Sequence, residues 1–219
     1  MSKKEKGKTK LISLSVSEEI LRKDLKGLKQ NALDLGASMA EIIPGDWVEI
    51  DERVRLKCVV PLCPYYDKCI NCPPHTPLPD IMRSSLAKYE WAILFALDVI
   101  PVTDFADRTK GREPSTQWAK KTLEITCEIE VLAFSHGYYF STGFAQASCV
   151  KALCGQDRCL VLEGNKCPYP LKARPSMEAV GIDVFRLVTR AGWDIYPIYR
   201  SVDPEEVPRA LSVGIVFIH

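Results

Sequence analysis

The sequence predicts an α/β (or α+β) protein, a mixed sheet packed by helices and carrying two cysteine-rich loops. Three observations lead there. Apolar runs of strand length alternate with helical periodicities along the chain, which favours a sheet layered against helices. The run WAILFALDVI, Trp91 to Ile100, is continuously apolar, as a central strand buried on both faces should be. Eight of the nine cysteines fall into two short, turn-rich runs between these elements.

Taken in order, MSKKEKGKTK is basic with no apolar run behind it, so residues 1–12 read as a disordered basic tail and 13–219 as a single domain. The stretch from Ser15 to Ser38 has Ser15 and Glu18 at capping-box spacing. Ile20, Leu21, Leu25, Leu28, Ala32 and Leu35 recur near helical period, and Gly36 is a natural stop. DWVEI and VRLK read as short strands leading into the first cysteine run. A long helix is expected from about Pro114 to His136, ended by Gly137. Its apolar residues cover more than one stripe, so it should be largely buried. YYFSTGFA is a plausible strand before the second cysteine run. SMEAVGIDVFRLVTRAG reads as a helix with Met177, Val180, Val184, Leu187 and Val188 inward. WDIYPI and VGIVFI are expected strands near the end.

Composition narrows the function. With 219 residues, 47% of them hydrophobic, the chain can bury a core without cross-links. A net charge of +1 argues against a nucleic-acid footprint, and no apolar stretch is long enough to span a bilayer. Without a secretory signal the expected location is cytoplasmic, where thiols stay reduced. An odd cysteine count further disfavours a disulfide framework. No phosphate-binding glycine loop, nucleophile elbow or His-Glu-x-x-His motif is present.

The first run holds Cys58, Cys63, Cys69 and Cys72, and the second Cys149, Cys154, Cys159 and Cys167. Each ends in Cys-Pro. Four thiolates are what a zinc ion or a four-iron cluster requires. Ribbon-type zinc sites use paired Cys-x-x-Cys knuckles, and here only Cys69 and Cys72 have that spacing. The longer loops suit a larger object whose irons lie apart, so the spacing favours iron–sulfur, with zinc as the alternative. Lys151, Arg158, Lys166, Lys172 and Arg174 outnumber Asp157 and Glu163 around the second run, and cations there would stabilise an anionic cluster. A helix starting near Ser176 would turn its positive end toward Cys167.

CPYYDKCINCPPHTP, followed far downstream by CLVLEGNKCPYPLKARPSMEAVGIDV, resembles the cysteine-rich predicted metal-binding protein family (domain of unknown function 2284). The resemblance runs from about Val48 to the C-terminal strand, and its most specific piece is KARPSMEAVGID. It implies a metal, iron–sulfur first, and an anaerobic setting, without an established reaction. Two departures stand out. Asp67 occupies a place where glycine is expected after tyrosine, and the second run is looser than the tight Cys-x-x-Cys steps of many members.

The remaining chemistry-bearing residues have plain readings beside the functional ones. Cys127 is read as a small buried residue of the long helix. His75 is either within reach of a metal or simply hydrogen-bonded in its loop. His136 sits at a helix C-terminus and is given no chemistry. Arg174 and Glu178 either position a charged substrate or form an ion pair or cap.

The reading that follows is an iron–sulfur protein binding two clusters (4Fe-4S) through all eight run cysteines. It would transfer electrons to a redox partner protein or cofactor, with neither nucleic acid nor membrane as partner. One alternative is a cluster-containing enzyme with an open iron for substrate; another is a zinc-stabilised binding module.

Overall fold

The computed structural model of the protein describes residues 10–13, 15–198 and 203–219. The class is mixed α/β, as expected. Four strands, β1 (Met39–Pro44), β2 (Trp91–Asp98), β3 (Thr142–Phe144) and β4 (Leu211–Phe217), form one sheet in the order β1-β2-β4-β3. Every pairing in it is antiparallel, so the sheet is not the mixed one the sequence suggested. Seven helices accompany it among the described residues: α1 (Glu18–Asp34), α2 (Glu52–Leu56), α3 (Pro79–Leu86), α4 (Thr103–Ala106), α5 (Glu113–Ser135), α6 (Cys149–Ala152) and α7 (Val184–Arg190).

The period-two geometry of a strand sends alternate residues of β2 to opposite faces. Ile93, Phe95 and Leu97 meet Leu21, Leu25 and Leu28 of α1 and Ile125 and Ile129 of α5. Ala92, Leu94 and Ala96 face the other way, toward Met82 and Leu86 of α3 and Leu187 and Val188 of α7. Both faces of β2 are thus covered, which explains its unbroken apolar sequence. Burying each large side chain here contributes on the order of 1.5–3 kcal/mol. α5 approaches the sheet closely at two glycines. A Cβ at Gly143 would collide with Thr126 of the helix, and one at Gly214 would collide with the Phe95 ring of β2 and crowd the Thr126 hydroxyl, so this packing requires glycine at both.

The long helix comes close to its expected bounds. Gly137 has φ +98°, and the Gly137 and Tyr138 amides donate to Phe134 and Ala133, closing a Schellman motif. Its exposed face differs from expectation, because Val131 and Phe134 point outward. Several other expectations are corrected. α1 is capped by Ser17, whose side chain accepts from the Ile20 amide, rather than by Ser15. VRLK is not a strand: the Asp51 side chain caps α2 by accepting from the Arg53 amide and starts a helical turn. DWVEI contributes a 3-10 turn at Gly45–Trp47 and a single bridge from Ile50 to Ile182. The helix expected over 176–192 is interrupted at Gly181 (φ +92°), leaving a 3-10 turn at Glu178–Val180 and then α7, capped by Asp183. The interruption is what lets Ile182 bridge to Ile50. Trp193–Ile198 is irregular rather than a strand; Trp193 and Ile195 pack on the core without joining the sheet. Strand β1 lies in a stretch for which the sequence reading offered no element.

Of the expected basic tail, residues 1–9 lie outside the described residues. Lys10 is fixed: its amide donates to Ser135 and its ammonium pairs with the buried Asp24 at 2.8 Å. No helix among the described residues is long and apolar enough to cross a membrane.

Candidate metal centre

Both cysteine runs pack on the N-terminal half of α5. Ala119 and Leu123 of that helix share one buried cluster with Cys69, Cys72, Cys149 and Cys159. The first run leaves α2 as a chain of turns, in which Cys63, Cys72 and His75 donate backbone hydrogen bonds to Cys58, Cys69 and Cys72. Asp67 has φ +55°, in the left-handed region where glycine is ordinarily preferred. That accounts for the glycine expected there by resemblance. Asp67 also accepts from His75 at 2.9 Å, so His75 has a carboxylate partner. The second run opens with α6, entered through Ala147, which also has a positive φ (+59°). These are the two non-glycine residues with positive φ among those described, and both adjoin the thiols. Backbone held in such regions costs free energy and persists where the surroundings enforce it.

The two runs are not spatially separate. The Cys159 amide donates to the Lys68 carbonyl at 2.8 Å, joining run to run. The Cys69 and Cys149 sulfurs are 3.6 Å apart, and Asn71 donates to the Cys149 sulfur at 3.3 Å. Cys72 donates to Ser148 at 3.3 Å. The hydrogen bond with Cys149, and the nearness of Cys72, lower the pKa of Cys69. The nearness of Cys69, with burial, raises the pKa of Cys72 and Cys149. A metal binding among these sulfurs would displace their protons. Burial pushes the Cys58 and Cys154 thiols up as well. All nine cysteines are free.

As a donor set these residues fit a thiophilic metal or cluster: soft sulfur ligands, mutually close, with one already inclined to ionise. The 3.6 Å separation is near the edge, about 3.8 Å, of a tetrahedron with metal–sulfur bonds of 2.3 Å. Among the described residues no three His, Cys, Asp or Glu side chains form a ready cage for a metal ion. What the fold provides is a hydrogen-bonded thiol group drawn from both runs.

Beside the thiols lies a two-lobed cleft, with volumes of about 410 and 720 Å³. Cys58, Cys63 and Glu178 line both lobes, and Cys72 lines the smaller one. Burial raises the Glu178 pKa, and among the described residues no cation pairs with it. Glu178 thus stands beside Cys58 and Cys63 of the first run, in a lobe that Ser148 and Lys151 also line. Arg174 instead forms the plain ion pair, with two bonds to Glu130 of α5 at 2.5 and 3.0 Å. Sequence reasoning missed Arg112, whose guanidinium lies 5.3 Å from the Tyr65 ring centroid in the smaller lobe. No local motif announces it.

Cys127 is buried, and its thiol donates to the Lys172 carbonyl at 3.2 Å. Burial pushes its pKa up to about 11, which keeps it a thiol. The cationic frame expected around the second run is partly spent: Arg174 on Glu130, and Lys172 near Glu124 at 3.8 Å. Nor does a helix begin at Ser176 to direct its dipole at Cys167.

The fold is thus an α/β body on which two cysteine runs bring free thiols together against one helix. The chain belongs to the family described as predicted metal-binding protein (DUF2284), which matches residues 41–217. No curated protein and no solved structure matches it.

Proposed function

We propose that the protein holds two iron–sulfur clusters, of the four-iron type, and passes single electrons to a partner enzyme or cofactor in anaerobic metabolism. The observation that carries this reading is the meeting of thiols from the two runs: Cys69, Cys72, Cys149 and Cys159 share one buried cluster, with Cys69 and Cys149 in contact. Together with Cys58, Cys63, Cys154 and Cys167, which complete the two runs, they would supply the sulfur for two clusters and an electron relay between them. The ligands would be Cys58, Cys63, Cys69, Cys72, Cys149, Cys154, Cys159 and Cys167, with both runs contributing to the buried group. Bound clusters would supply one-electron chemistry. The chain's own part is to fix the sulfurs, exclude water from Cys69, and set the local charge through Asn71 and Ser148.

A second reading, an enzyme with one iron open to substrate, is favoured by the three thiols Cys58, Cys63 and Cys72 on the wall of the smaller lobe. Anaerobic purification with iron, acid-labile sulfide and zinc analysis tests both. The expected product is brown, absorbs near ~400 nm through thiolate-to-iron charge transfer, and bleaches with dithionite. A colourless protein with stoichiometric zinc and no sulfide would overturn the iron–sulfur proposal.

A further inference from the structure

The cleft is chemically polarised along its length. In the smaller lobe Arg112 is braced by Tyr65, and among the described residues it has no carboxylate partner. Lys151 lines the same lobe, with its nearest carboxylates, Glu113 and Asp157, at 3.8 and 3.9 Å and themselves exposed. Two cations are thus presented without being tightly neutralised. The larger lobe is different. Its Arg53 is engaged by Asp51 through three side-chain hydrogen bonds, and its Asp183 caps α7. Beside Lys57 and Glu178, its lining carries an apolar wall that includes Phe105, Phe185, Ile195 and Tyr196. Phe185 and Tyr196 are 55% and 38% exposed, so their rings are open to a ligand. Cys58, Cys63 and Glu178 stand where the lobes join.

We infer that this cleft binds a small aromatic carboxylate, its ring in the larger lobe and its carboxylate between Arg112 and Lys151, so that its body crosses Cys58 and Cys63. Lobes of this size suit such a ligand. Arginine offers a carboxylate a paired donor fork, and the tyrosine beneath it fixes that fork in place. The inference extends the proposed function by naming what the thiol-lined cleft would take. It does not depend on which metal the thiols hold.

Calorimetric titration of the anaerobically purified full chain with benzoate and cinnamate tests it, with benzyl alcohol and inorganic phosphate as controls. One site is expected for the aromatic acids, with both controls at least tenfold weaker. Arg112→Gln and Lys151→Gln should each weaken benzoate about tenfold while circular dichroism and metal content stay unchanged. No binding of either acid by the folded protein overturns the inference, as does equal binding of benzyl alcohol or of phosphate, or indifference to both variants. Iron analysis on the same sample separates the two proposals. Benzoate binding to a zinc-loaded, sulfide-free protein keeps the cleft assignment and ends the iron–sulfur reading. A brown, dithionite-bleachable protein that ignores aromatic acids does the reverse.

Discussion

The sheet body and the cysteine layer are held together by different physics. In the body, β2 and β4 are buried along almost their whole length between α1 and α5 on one side and α3 and α7 on the other. The cysteine layer has no long element of its own. Its buried members are chiefly thiols and alanines, while Leu56, Val60 and Leu62 of the first run are more than half exposed. Alanines and thiols bury little apolar area, so the layer gains far less from the hydrophobic effect than the body does. If its sulfurs hold a metal as proposed, a region built this way would depend on it, as small metal domains do.

Stripping the metal gives the largest test of that contrast. Amide hydrogen exchange after chelation should show residues 58–72 and 149–167 losing protection, with β2 and β4 unchanged. Uniform loss across the chain would erase the distinction between the two regions. Next in size, Phe95→Ala empties the centre of the body. Urea unfolding should show a loss of about 3–5 kcal/mol, while the metal content of the folded fraction stays at the parent level. Loss of metal with the cavity would mean that the layers are one energetic unit.

The seam between the regions comes third. Arg174, just beyond the second run, grips Glu130 of α5, and Glu130 also accepts from the Gly143 amide of β3 at 2.7 Å. Arg174→Gln should cost about 2 kcal/mol in denaturant unfolding, the scale of a lost charged hydrogen bond. Cys127→Ala is smaller, about 1 kcal/mol, with iron or zinc content unchanged, since its sulfur is engaged by Lys172 and only a small cavity results. Metal loss in this variant would make Cys127 a ligand and redraw the boundary between body and layer.

The smallest effect concerns pH. Burial raises the Glu178 pKa above its unfolded value, so the folded protein binds more protons in the interval between the two. Stability from this group therefore falls as pH rises through that interval. Glu178→Gln should match the parent below the ordinary glutamate pKa and exceed it above the folded value, as thermal melts across that range would show. A constant offset at every pH would mean that the glutamine changes packing rather than charge.

The sequence by itself determined the class, the central strand, the near-bounds of α5, the last strand and the burial of Cys127. These rest on local signals: a continuous apolar run, a helical period closed by Gly137, and one small residue on a buried stripe. It also singled out the eight run cysteines, because their density is a one-dimensional fact. Only the tertiary structure decided which sulfurs meet. Cys69 and Cys149 are 80 residues apart, and between them the chain runs through β2, the 23 residues of α5 and β3 before returning to the same helix face. No spacing within either run encodes that return. The cleft was illegible for the same reason, since Arg112, Lys151 and Glu178 come from three separate segments. The broken helix at Gly181 and the irregular Trp193–Ile198 also escaped local reading. Periodicity reports which face a residue would present, whereas the bridge between Ile50 and Ile182 settles whether the helix continues at all.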